Sequence, residues 1–82
     1  MRNKVIPLKL PWLTEAEASV EVVKWLAAAG ERVEIDQDLL ELLVDGERFI
    51  LPAPVDGVLL ETLVLPGDIL TPGEVVAEIE ED

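Results

Sequence analysis

The side chains that could do chemistry in this chain are few. It has 82 residues and neither a Cys nor a His. Disulfide frameworks, thiolate and imidazole zinc sites, Ser-His-Asp triads and cysteine nucleophiles are thereby excluded. What remains is one serine (Ser19), three lysines (Lys4, Lys9 and Lys24), three arginines and eighteen carboxylates. Acid pairs such as Glu15/Glu17 and Glu80/Glu81 could serve as general acid and base only in a pocket that separates their pKa values. No run of residues around them builds such a pocket, and charge runs of this kind are solvated surface. Asp36-Gln37-Asp38 lacks the glycine and the terminal glutamate of a calcium loop, so no metal is expected there. No catalytic constellation is left, and Asp45-Gly46-Glu47-Arg48 is a candidate interaction turn. Arg48 in it can pair with Asp45 or Glu47 or face a partner, and Trp12 is a candidate interaction residue in a loop-like stretch.

Charge narrows the partners. Acids outnumber bases by 18 to 6, a formal net charge of −12. Nucleic acid binding needs a cationic face, and an anionic lipid surface would repel this chain. A basic protein partner or simple solubility remains, with a monomer as the expected state. No apolar run reaches the ~18–20 residues of a membrane span. Residues 1–7 carry a little positive charge without a long apolar segment, and the expected compartment is the cytosol.

The elements that position the turn can be read from the pattern. With 14 Leu, 11 Val and 5 Ile, the chain can build an aliphatic core despite its length. Asp45-Gly46 lies between the apolar runs 39–44 and 49–51, which predicts a two-residue type I′ hairpin. Residues 52–57, Pro-Ala-Pro-Val-Asp-Gly, form a rigid connector that cannot lie in mid-sheet. Val58–Leu65 is a β-compatible run, Pro66-Gly67 and Pro72-Gly73 are turns, and 74–80 is a last strand.

Residues 15–29 are ambiguous. Thr14-Glu15-Ala16-Glu17 fits a capping box and Gly30 a helix end, whereas Val20, Val22 and Val23 favour a strand. A weak internal repeat decides between them. Offset by 37 residues, Gly30 falls on Gly67 and Glu41 on Glu78. Val23 then meets Leu60, Leu26 meets Leu63, Val33 meets Leu70, Leu39 meets Val76 and Leu42 meets Ile79. Val20–Leu26 is therefore a strand, with Val20, Val22, Lys24 and Leu26 on one face and Glu21, Val23 and Trp25 on the other. The same offset moves Asp45-Gly46 to the C-terminus or, in the other direction, to Leu8-Lys9. Two half-domains about a pseudo-dyad then place the hairpin tip at one end and both termini at the other.

In this order and spacing the residues resemble the lipoyl/biotinyl carrier domain of 2-oxo acid dehydrogenase complexes and biotin carboxylases. The resemblance runs from about Lys4 to Ile79. It is carried by Leu10-Pro11, Val22-Val23-Lys24-Trp25-Leu26, Gly30-Glu31-Arg32-Val33, Leu39-Leu40-Glu41-Leu42, Pro52-Ala53-Pro54-Val55-Asp56-Gly57-Val58, Pro66-Gly67-Asp68 and Pro72-Gly73-Glu74-Val75. It implies an all-β flattened barrel of two four-stranded antiparallel sheets with quasi-twofold symmetry, and, since the family turns this tryptophan inward, Val23 and Trp25 are expected to be buried and Lys24 to point outward. One domain is expected over residues 1–82, its core about 4–80. In the family the hairpin reads aspartate-lysine-alanine for lipoyl or methionine-lysine-methionine for biotin, and that lysine is acylated. Here Asp45 keeps the aspartate and Gly46 occupies the lysine position. The family's threonine-glutamate-glycine recognition loop is replaced by Ala18-Ser19-Val20. No attached cofactor is therefore expected. The resemblance implies a non-acylated, non-catalytic domain acting through protein contacts, within or beside a 2-oxo acid dehydrogenase-type complex. The alternative is a swinging-arm carrier, natural or engineered without its lysine. A transporter-type spacer of the same fold would need a helical insertion, and residues 52–57 leave no room for one.

Overall fold

Alternation of apolar and polar side chains becomes eight strands in the computed structural model, which describes residues 4–11 and 19–82. They are β1 (Lys4–Lys9), β2 (Val20–Trp25), β3 (Arg32–Val33), β4 (Asp38–Val44), β5 (Glu47–Pro52), β6 (Gly57–Thr62), β7 (Ile69–Leu70) and β8 (Val75–Glu81). All pairings are antiparallel. Two four-stranded sheets result, ordered β1-β8-β6-β3 and β5-β4-β2-β7. Among the described residues there is no helix. The capping box at 14–17 lies outside them.

The expected all-β, two-sheet architecture is borne out, and so is the repeat. Strands β2, β3 and β4 map onto β6, β7 and β8 at the 37-residue offset, each with its bounds preserved. The hydrogen bonds follow. Gly30 N–H donates to Leu59 O at 2.7 Å, and its mate Gly67 N–H donates to Val22 O at 2.8 Å. Leu26 N–H donates to Leu39 O, and Leu63 N–H to Val76 O, both at 2.8 Å. Only β1 and β5 depart from the offset. The link before β2 is residues 10–19 and the link before β6 only residues 53–56, so β5 lies 43 positions after β1. The counterpart of the Asp45-Gly46 turn is accordingly not Leu8-Lys9. It is the meeting of Lys4 with Glu81, which pair in register as Glu47 and Val44 do beside the turn.

The core between the sheets is aliphatic. Val20, Val22, Leu40, Leu42 and Leu70 come from one sheet, and Leu8, Val33, Leu59, Ala77 and Ile79 from the other, with Trp25, Phe49 and Val55 packed against them; no polar or charged residue is buried among the described residues. Each buried Val, Leu or Ile side chain contributes about 1.5–3 kcal/mol by leaving water.

Three expectations need correction. Val23 and Trp25 do not form the buried pair of β2. A bulge between Val22 and Lys24 leaves Val23 without a register partner and shifts the alternation. Val20 and Val22 are the buried residues, Val23 and Trp25 are half-buried, and Lys24 is exposed as expected. The run expected to continue to Leu65 stops as a strand at Thr62, where Leu63 N–H bonds instead to Val76. Finally, Pro52 belongs to β5 rather than to the connector. An edge strand's last residue needs no ladder donor, so proline is tolerated there.

Gly57 fixes how closely β6 and β8 approach. A Cβ on it would sit 2.0 Å from the backbone oxygen of Glu80. Only glycine fits against that carbonyl, which gives the glycine of the Pro-x-Pro-x-x-Gly stretch a packing cause.

Candidate functional site

The β4–β5 hairpin is built as its sequence dictates. Val44 and Glu47 close the ladder, and the two residues between them take left-handed backbone angles, φ 49° at Asp45 and 83° at Gly46. This is the type I′ turn, for which Asp-Gly is well suited because glycine carries no Cβ penalty and aspartate tolerates the left-handed region. All four residues of the candidate turn, Asp45, Gly46, Glu47 and Arg48, are exposed.

Asp45 does more than turn the chain. Its carboxylate Oδ1 accepts the Ser19 N–H at 2.9 Å, and its own N–H donates to Ser19 O at 2.9 Å. The tip is thereby tied to the residue that opens β2, just past the 12–18 stretch. Trp12 lies outside the described residues, so the structure gives no position for that candidate.

Arg48 pairs with neither Asp45 nor Glu47. Its Nε lies 3.5 Å from Oε1 of Glu41, whose side chain is 15% exposed. The pairing was available from the sequence. A two-residue turn sets Leu43 opposite Arg48, which leaves Glu41 one diagonal step away on the same face. On the other side of β4, Lys24 is the register partner of Glu41.

The remaining candidates are structural. Asp36 takes a left-handed turn, φ 69°, with its N–H on Ala53 O at 2.9 Å, while Gln37 Oε1 accepts Glu34 N–H at 3.0 Å. Among the described residues no group of three carboxylates could hold a metal ion. Trp25 donates its indole N–H to Val64 O at 2.9 Å and packs on the core. Asp56, which sequence reasoning passed over, accepts the Ile35 N–H at 2.8 Å and pins the loop after β3. A lone acid before Gly57 carries no signal for that role. Lys4 and Lys9 lie on β1 and Lys24 on β2, and no lysine lies in the hairpin turn.

Two interlocked sheets about a pseudo-dyad, with a tight hairpin projecting from one of them, define the carrier-domain class, whose members are not themselves catalytic. The family model described as "Biotin-requiring enzyme", for biotin- and lipoyl-type domains, matches residues 6–79. The chain belongs to this biotinyl/lipoyl family. It is 35% identical over 72 residues to the dihydrolipoyllysine-residue acetyltransferase component of the pyruvate dehydrogenase complex of Corynebacterium glutamicum, covering 88% of this chain and 11% of that protein. The corresponding Staphylococcus epidermidis component is also 35% identical over 72 residues, with 88% and 17% covered. The chain therefore spans only a small part of the curated relatives it matches. The solution structure of the lipoyl domain of the 2-oxoglutarate dehydrogenase complex from Azotobacter vinelandii superposes with a TM-score of 0.76 at 29% identity, covering 93% of this chain and 96% of that one. The chain is a lipoyl-type domain of the kind found in such acetyltransferase components. No helix among the described residues is long and apolar enough to cross a membrane.

Proposed function

We propose that this chain is a lipoyl-type domain that works without an acyl group, through protein–protein contact, within or beside a 2-oxo acid dehydrogenase-type complex. The observation that carries the proposal is Gly46 at the tip of the hairpin. Lipoate and biotin are joined to their domains through an amide on a lysine amine, and glycine has none. The hairpin scaffold is nevertheless present: the turn, the Asp45–Ser19 tie and the Glu41–Arg48 ion pair are all in place. A surface preserved without its chemistry is suited to recognition, and Asp45, Gly46, Glu47 and Arg48 form the contact end. The relatives are components of dehydrogenase complexes, which supports subunits of such a complex as partners. Residues 4–80 act as one monomeric module, since a net charge of −12 opposes self-association.

A swinging-arm carrier is the second possibility, favoured by the family match and the intact hairpin. It requires a lysine that the turn lacks. Intact-mass spectrometry after co-expression with a lipoate ligase and a biotin ligase separates the two. The unmodified sequence mass is expected, and a lipoyl or biotinyl adduct would sink the proposal.

A further inference from the structure

Trp25, Ala27, Ala28, Ala29, Glu31 and Thr62 line an open groove of about 410 Å³ at the end of β2 remote from the hairpin. The pseudo-dyad mates of the lining residues differ in size and charge pairing. At the 37-residue offset, Ala27, Ala28 and Ala29 correspond to Val64, Leu65 and Pro66. Three methyl groups in one half thus stand where the other half has bulk. The acids differ as well. Asp68 turns its carboxylate onto its own loop and accepts Leu65 N–H at 2.8 Å. Its mate Glu31 shares only the backbone bonds, its N–H donating to Ala28 O at 3.0 Å and its carbonyl accepting Leu59 N–H at 2.9 Å. Among the described residues no hydrogen bond or ion pair engages the Glu31 carboxylate.

We infer that this groove receives an arginine or lysine side chain from a basic segment of a protein partner. The chemistry of the lining selects that occupant. The indole N–H of Trp25 is spent on Val64 O, so what Trp25 offers the groove is carbon, the ring face and edge. An aromatic ring attracts a cation over its face. The exposed Ala28 and Ala29 methyls and Leu26 leave room beside the ring for the methylene stem of a long cationic side chain. Glu31 stands at the rim to receive the charged head. A net charge of −12 steers a basic segment toward the chain and repels an acidic one. The occupant fits whether or not residue 46 carries a group, so the inference goes beyond the hairpin and stands independently of it.

The test uses the full chain with Trp12→Phe, which leaves Trp25 as the one indole. Its indole N–H signal and the amides of residues 27–31 are followed by NMR. The probes are acetyl-Ala-Arg-Ala-amide, acetyl-Ala-Glu-Ala-amide and spermidine at low salt. The arginine peptide is expected to give a saturable shift at Trp25 and residues 27–31, weakened several-fold by ~0.15 M salt, where screening reaches about 8 Å. Glu31→Gln should weaken binding several-fold, and Ala28→Leu, which copies the bulk at position 65, should abolish it. Both variants lie on exposed residues, and unchanged circular dichroism checks that they fold. Equal shifts with the glutamate peptide, shifts confined to residues 45–48, or insensitivity to both variants would overturn the inference. Saturation by spermidine with the same sensitivity to the variants would also overturn it, since the site would then belong to a free polyamine.

Discussion

Ser19 and Asp45 exchange two hydrogen bonds of 2.9 Å, one between backbones and one from the Ser19 N–H to the Asp45 carboxylate. A side chain at the hairpin tip thus holds the start of a strand separated from it by 26 positions. Asp45→Ala should cost about 1–2 kcal/mol, combining the lost acceptor for the Ser19 N–H with loss of the polar side chain that lets aspartate tolerate a left-handed backbone. Asp45→Asn keeps the acceptor oxygen and the tolerance for positive φ, and should stay within about 0.5 kcal/mol of wild type. Urea unfolding of both variants checks this. Equal stability of the two would show that the carboxylate bond carries no weight.

Gly46→Lys restores an amine at the turn. A Cβ at Gly46 meets nothing within 4 Å, but φ is 83°, so the variant should fold at a cost of about 1 kcal/mol. Lipoylation of this variant in vitro should be poor, because Ala18-Ser19-Val20 stands where the family carries its recognition loop. Mass spectrometry reads the outcome directly. Complete modification by a lipoate ligase would mean that one residue alone separates this chain from a working carrier.

Gly57→Ala should be the most damaging of the single-methyl additions. The new Cβ would lie 2.0 Å from a backbone oxygen that the sheet holds in place. Overpacking against backbone costs about 3 kcal/mol or more when nothing can yield. A thermal or urea midpoint close to wild type would show that β6 and β8 can move apart.

Within β2, Val22→Ala should cost about 1–3 kcal/mol, since Val22 is 1% exposed. Val23→Ala should cost less than about 1 kcal/mol, and Lys24→Ala should fall within about 0.5 kcal/mol of wild type. A larger loss at Val23 than at Val22 would contradict the bulge.

Much of this fold was legible before any coordinates, though unevenly. Asp45-Gly46 announced its own turn, because few other dipeptides accept two left-handed residues. Val20–Trp25 was legible only through its repeat mate, since local propensity there favours a helix and tertiary pairing overrode it. The bulge at Val23 was not legible. A bulge is a mismatch between two strands, and neither strand alone records it, yet its counterpart occurs between Leu59 and Glu61 at the same offset. The hairpin turn of the candidate site could be read directly. The Glu41–Arg48 pair follows from the register that the two-residue turn imposes, whereas the Ser19 tie joins residues 26 positions apart with no local signal, and the groove at Trp25 is a product of the packed fold.

The register pair Lys4–Glu81 occupies the place in one sheet that Glu47–Val44 occupies in the other. Topologically it is a second hairpin whose turn has been left out. A two-residue Asp-Gly joiner between Glu81 and Lys4 would close it with the same geometry. The chain could then be opened between Asp45 and Gly46 with no strand pairing lost. Such a circular permutant, starting at Gly46 and ending at Asp45, should fold to the same eight strands, with the new loop and the old one exchanging roles across the dyad.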